Sequence, residues 1–380
     1  MILFTFRYAD DHRLCCNFDT LKKCTVLSEQ PPLFNCGSLM QNMFLRVSMW
    51  ILGISALIGN LIAVAWRLKE KTRNNKTMVQ SFMVGNLAVS DFLMGLYMIV
   101  IASADLYYGD DYFIYSDAWR NGAMCRIAGF ICLLSSEASV FFLTLISFDR
   151  FMGAVFPFSQ SRFTIRSVKA TSFVLWLISL LISAIPIIVA GPDSDFYDLS
   201  DVCIGLPLIT RPSSYELEAS KIGGQATVNL PVAKESKPAW YFSIAIFLGL
   251  NLCCFLSIFV FYVAVFVKLR KSSQKLNRGQ RRARNSERKL AIKMAVIVGT
   301  DFLCWMPVIL MGVLSQTGLV VIPLEAYIWC VVFILPINSA LNPYLYTVAS
   351  VLASRKQRGQ VDTSTNSTND NGNNTQETNN

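Results

Sequence analysis

The sequence predicts an all-α membrane protein: a seven-transmembrane helix bundle with a short disulfide-stapled N-terminal segment. Three observations carry that prediction. The 380 residues are 53% hydrophobic and 16% charged, with a mean hydropathy of +0.43, whereas a soluble domain carries about 25% charged residues. The apolar residues fall into seven blocks, about 47–67, 77–102, 125–149, 169–191, 239–267, 290–314 and 324–348. Each block reaches the roughly 20 residues a helix needs to cross a bilayer. Finally, basic residues concentrate in alternate connecting loops, as they do when successive helices cross in opposite directions.

Those loops set the expected orientation. The first, third and fifth are basic: 67–76, the segment with Arg162, Arg166 and Lys169, and 268–289. The alternate loops hold Asp105, Asp110, Asp111 and Asp117, then Asp193, Asp195, Asp198 and Asp201. The positive-inside rule therefore places the N-terminus outside and the C-terminus in the cytosol, and most of the net charge of +9 is this asymmetry. Nucleic-acid binding is not expected of the 268–289 run, because two spans clamp it at the membrane. The lipid bilayer is the expected partner, in a multi-pass plasma-membrane protein.

Three regions follow. Residues 1–46 form a Cys-rich outer segment with too few apolar residues for a core, so disulfides would have to hold it. Residues 47–348 hold the spans, with a long polar outer loop at 192–238. Residues 349–380 end in an Asn/Thr/Ser-rich stretch expected to be disordered. The run "MILFTF" is too short for a signal peptide and Arg7 follows it. Either the first span starts translocation itself or Met1 is not the native start. Of eleven cysteines, Cys15, Cys16, Cys24, Cys36, Cys125 and Cys203 fall on the outer, oxidising side. Cys132, Cys253, Cys254, Cys304 and Cys330 sit within spans, where packing explains them.

An ionisable residue inside a span costs roughly 2.5–3.5 kcal/mol and usually marks function. Asp91 in "NLAVSDFL" is such a residue. Asn60, Ser139, Asn338 and Asn342 lie at comparable or slightly more cytosolic depth, so the five could share one hydrogen-bonded cluster, with room for water or a sodium ion. Static interhelical glue is the competing reading. The seventh block carries "FILPINSALNPYLY", where Pro336 and Pro343 should free backbone carbonyls and Asn338, Ser339 and Asn342 re-satisfy them. That describes a deformable hinge. The sixth block repeats the device: Pro307 allows a kink, Trp305 supplies a bulky lever, and Asp301 adds a second buried acid.

At the inner end of the third block stands "SFDRF". Arg150 could pair with Asp149 and with Glu287 at the start of the sixth, tying the inner ends of helices three and six together. An interfacial Arg that simply snorkels is the alternative. On the outer side Cys125 and Cys203 are well placed for a disulfide, which their spacing alone does not specify.

In order along the chain, "GN" in the first block, "LAVSD" in the second, "DRF" closing the third, Trp176 in the fourth, "CWMP" in the sixth and "NPYLY" in the seventh resemble the rhodopsin-type G protein-coupled receptors. The resemblance covers residues 47–348. Within that superfamily "LSSEASV", "IFLGLNL", "TDFLCW" and "FILPINSALNP" resemble the leucine-rich-repeat-containing receptors, and "SDFLMGLY" with "FILPINSALNP" is most similar to the relaxin-receptor branch and its invertebrate relatives. The resemblance implies that Cys15 and Cys16 pair with Cys24 and Cys36 in a hinge, although four cysteines allow three connectivities. It also implies a candidate internal agonist at Phe34, Asn35, Cys36, Gly37, Ser38, Leu39 and Met40. The leucine-rich ectodomain of that family is absent from these 380 residues.

The expected function is then transduction of an extracellular signal, a peptide or protein hormone captured through the missing ectodomain, to a heterotrimeric G protein. Stimulation of adenylate cyclase is implied by the relaxin-receptor resemblance. Asp149, Arg150 and Glu287 would gate coupling, while Asp301, Trp305, Pro307, Pro343 and Tyr346 would serve as switch and hinge. No cofactor is expected beyond sodium at Asp91, and no metal centre; a receptor dimer stays open. A non-signalling truncated receptor, acting on the trafficking of full-length receptors or as their dominant-negative partner, is the alternative. A transporter should show paired repeats with broken helices in both halves, which are absent. An opsin-like light sensor needs a span-seven lysine, and 324–348 has none. An enzyme is disfavoured, since the sole histidine is His12, outside the membrane.

Overall fold

Where lipid replaces water, each backbone N–H and C=O must be satisfied within the chain, so apolar blocks of this length can only be helices. The computed structural model describes residues 8–9, 25–26, 37–40, 42–69, 75–156, 163–189, 201–204, 212–222, 226–235, 242–271, 299–300, 302–311, 313–314 and 329–345. The first four spans are helices Met43–Lys69, Asn75–Tyr108, Ala123–Val155 and Ile165–Val189. The fifth opens as a π-helical turn, Ala245–Asn251, and continues as an α-helix, Leu252–Lys271. Apolar helices Phe302–Met311 and Val332–Pro343 lie within the sixth and seventh blocks.

The third span is the axis of the bundle. Its apolar stretch is 83% buried, against 33%, 22% and 25% for the first, fourth and fifth. It packs against the second, fourth and fifth spans, while the seventh fits between the first and second. The outer helices turn large apolar side chains away from the protein, among them Ile58 and Leu61 on the first, Phe173 and Leu181 on the fourth, and Phe259 and Val260 on the fifth. In water such a surface would be a liability; in hydrocarbon it is the correct solvent-facing surface.

Outside the bundle the chain is not purely helical. A turn at Gly109, with φ of +53°, leads into a 3₁₀ turn, Gly109–Asp111, and a short helix, Tyr112–Arg120, where only an acidic loop was expected. Strands Pro212–Ile222 and Ala226–Glu235 pair antiparallel within the 192–238 loop, with Glu216 opposite Val232 and Glu218 opposite Leu230. This hairpin corrects the reading of that loop as merely polar. Its signal was present in the sequence: the two-residue alternation of "YELEASKI" ending at Gly223-Gly224 is a hairpin pattern. Two further short strands, Tyr8–Ala9 and Thr25–Val26, pair in parallel near the N-terminus.

The seventh span also differs in detail from its sequence reading. It begins as a π-helical turn, Trp329–Ile334, and Pro336 occupies the first turn of the α-helix that follows, Leu335–Pro343. Because the π-helical turn runs directly into this helix, the N–H that Pro336 lacks would otherwise have bonded a carbonyl of that turn. Pro336 therefore marks a π-to-α junction within a continuous helical run. Pro307 lies inside Phe302–Met311, and Pro343 ends the α-helical part of the seventh span.

Two glycines let the first span approach its neighbours. A Cβ added at Gly95 would lie 2.8 Å from the Leu57 backbone nitrogen, and one at Gly59 would lie 2.7 Å from Pro343 Cγ. At Gly85 the nearest atom would be 3.9 Å away. Gly95→Ala should therefore push the first two spans apart at an overpacking cost of about 1–3 kcal/mol. Thermal unfolding of the solubilised protein should show a lowered midpoint for Gly95→Ala and an unchanged one for Gly85→Ala.

Candidate functional site

The second, third and seventh spans converge on Asp91, whose side chain is fully buried. Asn342 Nδ2 donates to one carboxylate oxygen at 2.9 Å; Ser339 Oγ donates to the other at 3.0 Å and Ser139 Oγ at 3.5 Å. Asn60 joins through the main chain, its Nδ2 donating to the Ser339 carbonyl at 2.9 Å and to the Ala56 carbonyl at 2.8 Å. One layer outward, Ser135 Oγ donates to the Ser90 carbonyl at 2.7 Å. The structure thus gathers Asn60, Asp91, Ser139 and Asn342 into one network. Asn338 is buried on the same helix, but the seventh-span hydroxyl in the Asp91 shell belongs to its neighbour Ser339.

Sequence reasoning missed a second buried acid. Glu137, in the middle of the third span, is wholly inaccessible, and its Oε1 accepts a hydrogen bond from Asn251 Nδ2 at 3.1 Å. Asn251 closes the π-helical turn of the fifth span. Such turns concentrate at functional positions, where the extra residue re-aims a side chain. The signal for Glu137 was the same one that flagged Asp91, an ionisable residue inside an apolar run. Asp301, the acid expected in the sixth span, lies outside the described residues.

Near the C-terminal end of the third span Arg150 is buried, and its guanidinium pairs with Asp149 at 3.1 Å. Glu287 lies outside the described residues. Phe148 and Phe151 stack beside this pair against Phe261 of the fifth span, at centroid distances of 5.6 and 5.1 Å. Higher in the bundle Trp305 is buried against Phe255, 6.1 Å between centroids, joining the sixth span to the fifth. Trp176 on the fourth donates its indole N–H to Asn86 Oδ1 on the second at 2.9 Å. Tyr344 places its hydroxyl 3.0 Å from Ser55 Oγ on the first span; Tyr346 is not among the described residues.

The end of the bundle at which the third span begins is knit by charge and by a disulfide. Cys125 and Cys203 are bonded, tying the outer loop to the head of the third span. Beside them buried Arg120 pairs with Asp117 at 2.5 Å and with Asp201 at 3.2 Å; the Tyr112 hydroxyl also donates to Asp201 at 2.8 Å. The Trp119 indole donates to the Asp201 carbonyl and the Tyr97 hydroxyl to the Val202 carbonyl, both at 2.8 Å. Cys15, Cys16, Cys24, Cys36, Phe34 and Asn35 fall outside the described residues. Gly37, Ser38, Leu39 and Met40 are described, and the last three are buried.

The order of these features along seven apolar blocks coincides with a family match. Residues 59–346 match the model of the 7 transmembrane receptor (rhodopsin family). The chain belongs to this receptor family. It is 33% identical over 341 residues to G-protein coupled receptor GRL101 of Lymnaea stagnalis, covering 90% of this chain and 28% of that protein. It is 30% identical over 343 residues to human relaxin receptor 2, covering 90% of this chain and 42% of that receptor. The feline thyrotropin receptor is 28% identical over 327 residues, covering 86% of this chain and 37% of that receptor. The chain therefore spans less than half the length of these relatives. The relaxin-receptor likeness expected from the motifs is present.

The Glu137–Asn251 pair yields a direct test. Asn251→Leu strands a carboxyl group in the bundle, whereas the double change Glu137→Leu/Asn251→Leu removes both partners. Leaving a buried polar group unsatisfied costs about 1–3 kcal/mol, while replacing both groups can be nearly neutral. The thermal midpoint should fall further in Asn251→Leu than in the double variant, and Glu137→Gln should stay near the parent protein.

Proposed function

We propose that this chain is the signalling module of a plasma-membrane receptor, with its N-terminus outside, that passes an extracellular hormone-borne signal to a heterotrimeric G protein. The Asp91 network carries the reading. A buried carboxylate shared among three helices by side chains that can exchange partners is a bistable core, which a rigid strut would not need. Two of the relatives are named for the hormones relaxin and thyrotropin, which favours a polypeptide signal. The relaxin-receptor likeness favours the stimulatory G protein.

The mechanism is a population shift. An event outside repacks the Trp305 and Asp91 layers, the seventh span adjusts at its π-to-α junction and at Pro343, and the sixth moves at Pro307. Arg150 then leaves its acidic partner, and a crevice opens between the inner ends of the third, fifth and sixth spans. The basic run 268–289 supplies charge for the G protein. Purified chain in lipid vesicles should speed guanine-nucleotide exchange on a stimulatory heterotrimer. Arg150→Ala should cut that rate on the order of tenfold, as expected for loss of a charged contact. Exchange no faster than with empty vesicles, across stimulatory, inhibitory and phospholipase-coupled trimers, would overturn the reading.

The same core suits a monovalent cation. The oxygens of Asp91, Ser139 and Ser339 meet there, and buried Asn342 Oδ1 has no partner among the described residues. An ion with its waters would serve that oxygen and neutralise the carboxylate. Sodium chloride should then raise the thermal midpoint more than choline chloride at equal ionic strength. In Asp91→Asn the two salts should act alike.

A further inference from the structure

Just before the first span, the main chain of Met40 is held at both of its polar groups by side chains. Its N–H donates to Asp105 Oδ1 at 2.8 Å, across 65 residues. Its C=O accepts from Arg46 Nη2 at 3.2 Å and from Ser38 Oγ at 3.1 Å. Arg46 Nε in turn lies 2.7 Å from Asp105 Oδ2, which closes a ring of Met40, Asp105 and Arg46.

Burial separates this ring from an ordinary surface ion pair, worth little in water. The Asp105 side chain is 3% exposed while that of Arg46 is 34% exposed, and Leu39 and Met40 are buried beneath the same outer rim. An ionised acceptor on a backbone N–H makes one of the stronger protein hydrogen bonds. Because the contacts are to the main chain, the ring fixes where the chain runs, whatever side chain residue 40 carries. The next helical turn is also engaged: Phe44 packs on Trp329 and Phe333, each 5.5 Å away, within the π-helical turn of the seventh span.

We propose that Asp105 and Arg46 form a main-chain clamp at Met40, which docks the segment entering the first span onto the outer ends of spans one and two. They are positioning residues. Pulling or twisting the preceding segment opens the clamp and frees the Phe44 turn to shift against the seventh span. That link to signalling rests on the receptor reading above; the docking does not.

Hydrogen exchange on the purified full chain in lipid nanodiscs reads the clamp directly, because the Met40 amide is one of its bonds. Asp105→Leu removes acceptor and charge, and should speed exchange over residues 37–42 on the order of tenfold. Spans 47–60 and 85–100 should keep parental rates. Asp105→Asn keeps an acceptor without charge and should fall between the two, as should Arg46→Gln. The exchanged pair Arg46→Asp/Asp105→Arg restores an ion pair but presents a cation to the Met40 N–H, so exchange there should remain fast. Parental rates over 37–42 in Asp105→Leu, equal acceleration along both spans, or full protection in the exchanged pair would each overturn the clamp. These readings need no G protein, so a chain that fails to promote nucleotide exchange would count against the receptor proposal alone.

Discussion

A carboxylate in the hydrocarbon layer must find its hydrogen-bond donors within the protein, and the bundle is organised around that requirement. Asp91 takes donors from Ser139 on the third span and from Ser339 and Asn342 on the seventh. Each donor commits a helix to face the second span at one depth and one rotation. Asn60 then fixes the first span to the Ser339 carbonyl, which places Gly59 against Pro343. Three helices are thereby held in register by one buried acid, and the first joins them through Asn60. Since interhelical hydrogen bonds in membranes are individually worth under about 1 kcal/mol on average, the arrangement is specific without being rigid.

Irregular backbone appears in the fifth and seventh spans. The π-helical turns fall at Ala245–Asn251 and Trp329–Ile334. Asn251 reaches Glu137 from the first of these turns, and Trp329 and Phe333 meet Phe44 from the second. A π-helical turn keeps its backbone hydrogen-bonded, i to i+5, so it is tolerated in the fifth span although Ala245 and Gly249 are exposed.

The two membrane faces are built on different chemistry. At one end the Cys125–Cys203 disulfide and the ring of Arg120, Asp117, Asp201 and Tyr112 tie loop to helix. At the opposite end Arg150 meets its neighbour Asp149, and much of the surrounding packing is aromatic, from Phe148, Phe151 and Phe261. Covalent and multidentate ties suit a face that anchors loops. The Phe151–Phe261 pair is stacked and the Phe148–Phe261 pair tilted, contacts that carry no directional bond.

Much of the architecture was legible in the residues because membrane solvation acts on local composition. Block length located the spans, and the cost of burying polar groups singled out Asp91, Asn60, Ser139 and Asn342. The same rule applied to "LSSEASV" points to Glu137, an ionisable residue inside the third apolar block. The hairpin at 212–235 was likewise readable from its alternation.

What composition cannot encode is which helix faces meet. Ser339 instead of Asn338 reaches Asp91 because helix rotation sets which neighbour points inward. Pro336 opens an α-helix because a π-helical turn precedes it. Asp105 looked like one more acid in an outer loop, yet it binds Met40 and Arg46 because the second helix continues past its apolar block to Tyr108. The sequence by itself determined how many segments cross the membrane and which polar groups had to be answered. Only the tertiary structure decided which partners answer them, because hydrogen bonds depend on distances and angles between helices far apart along the chain.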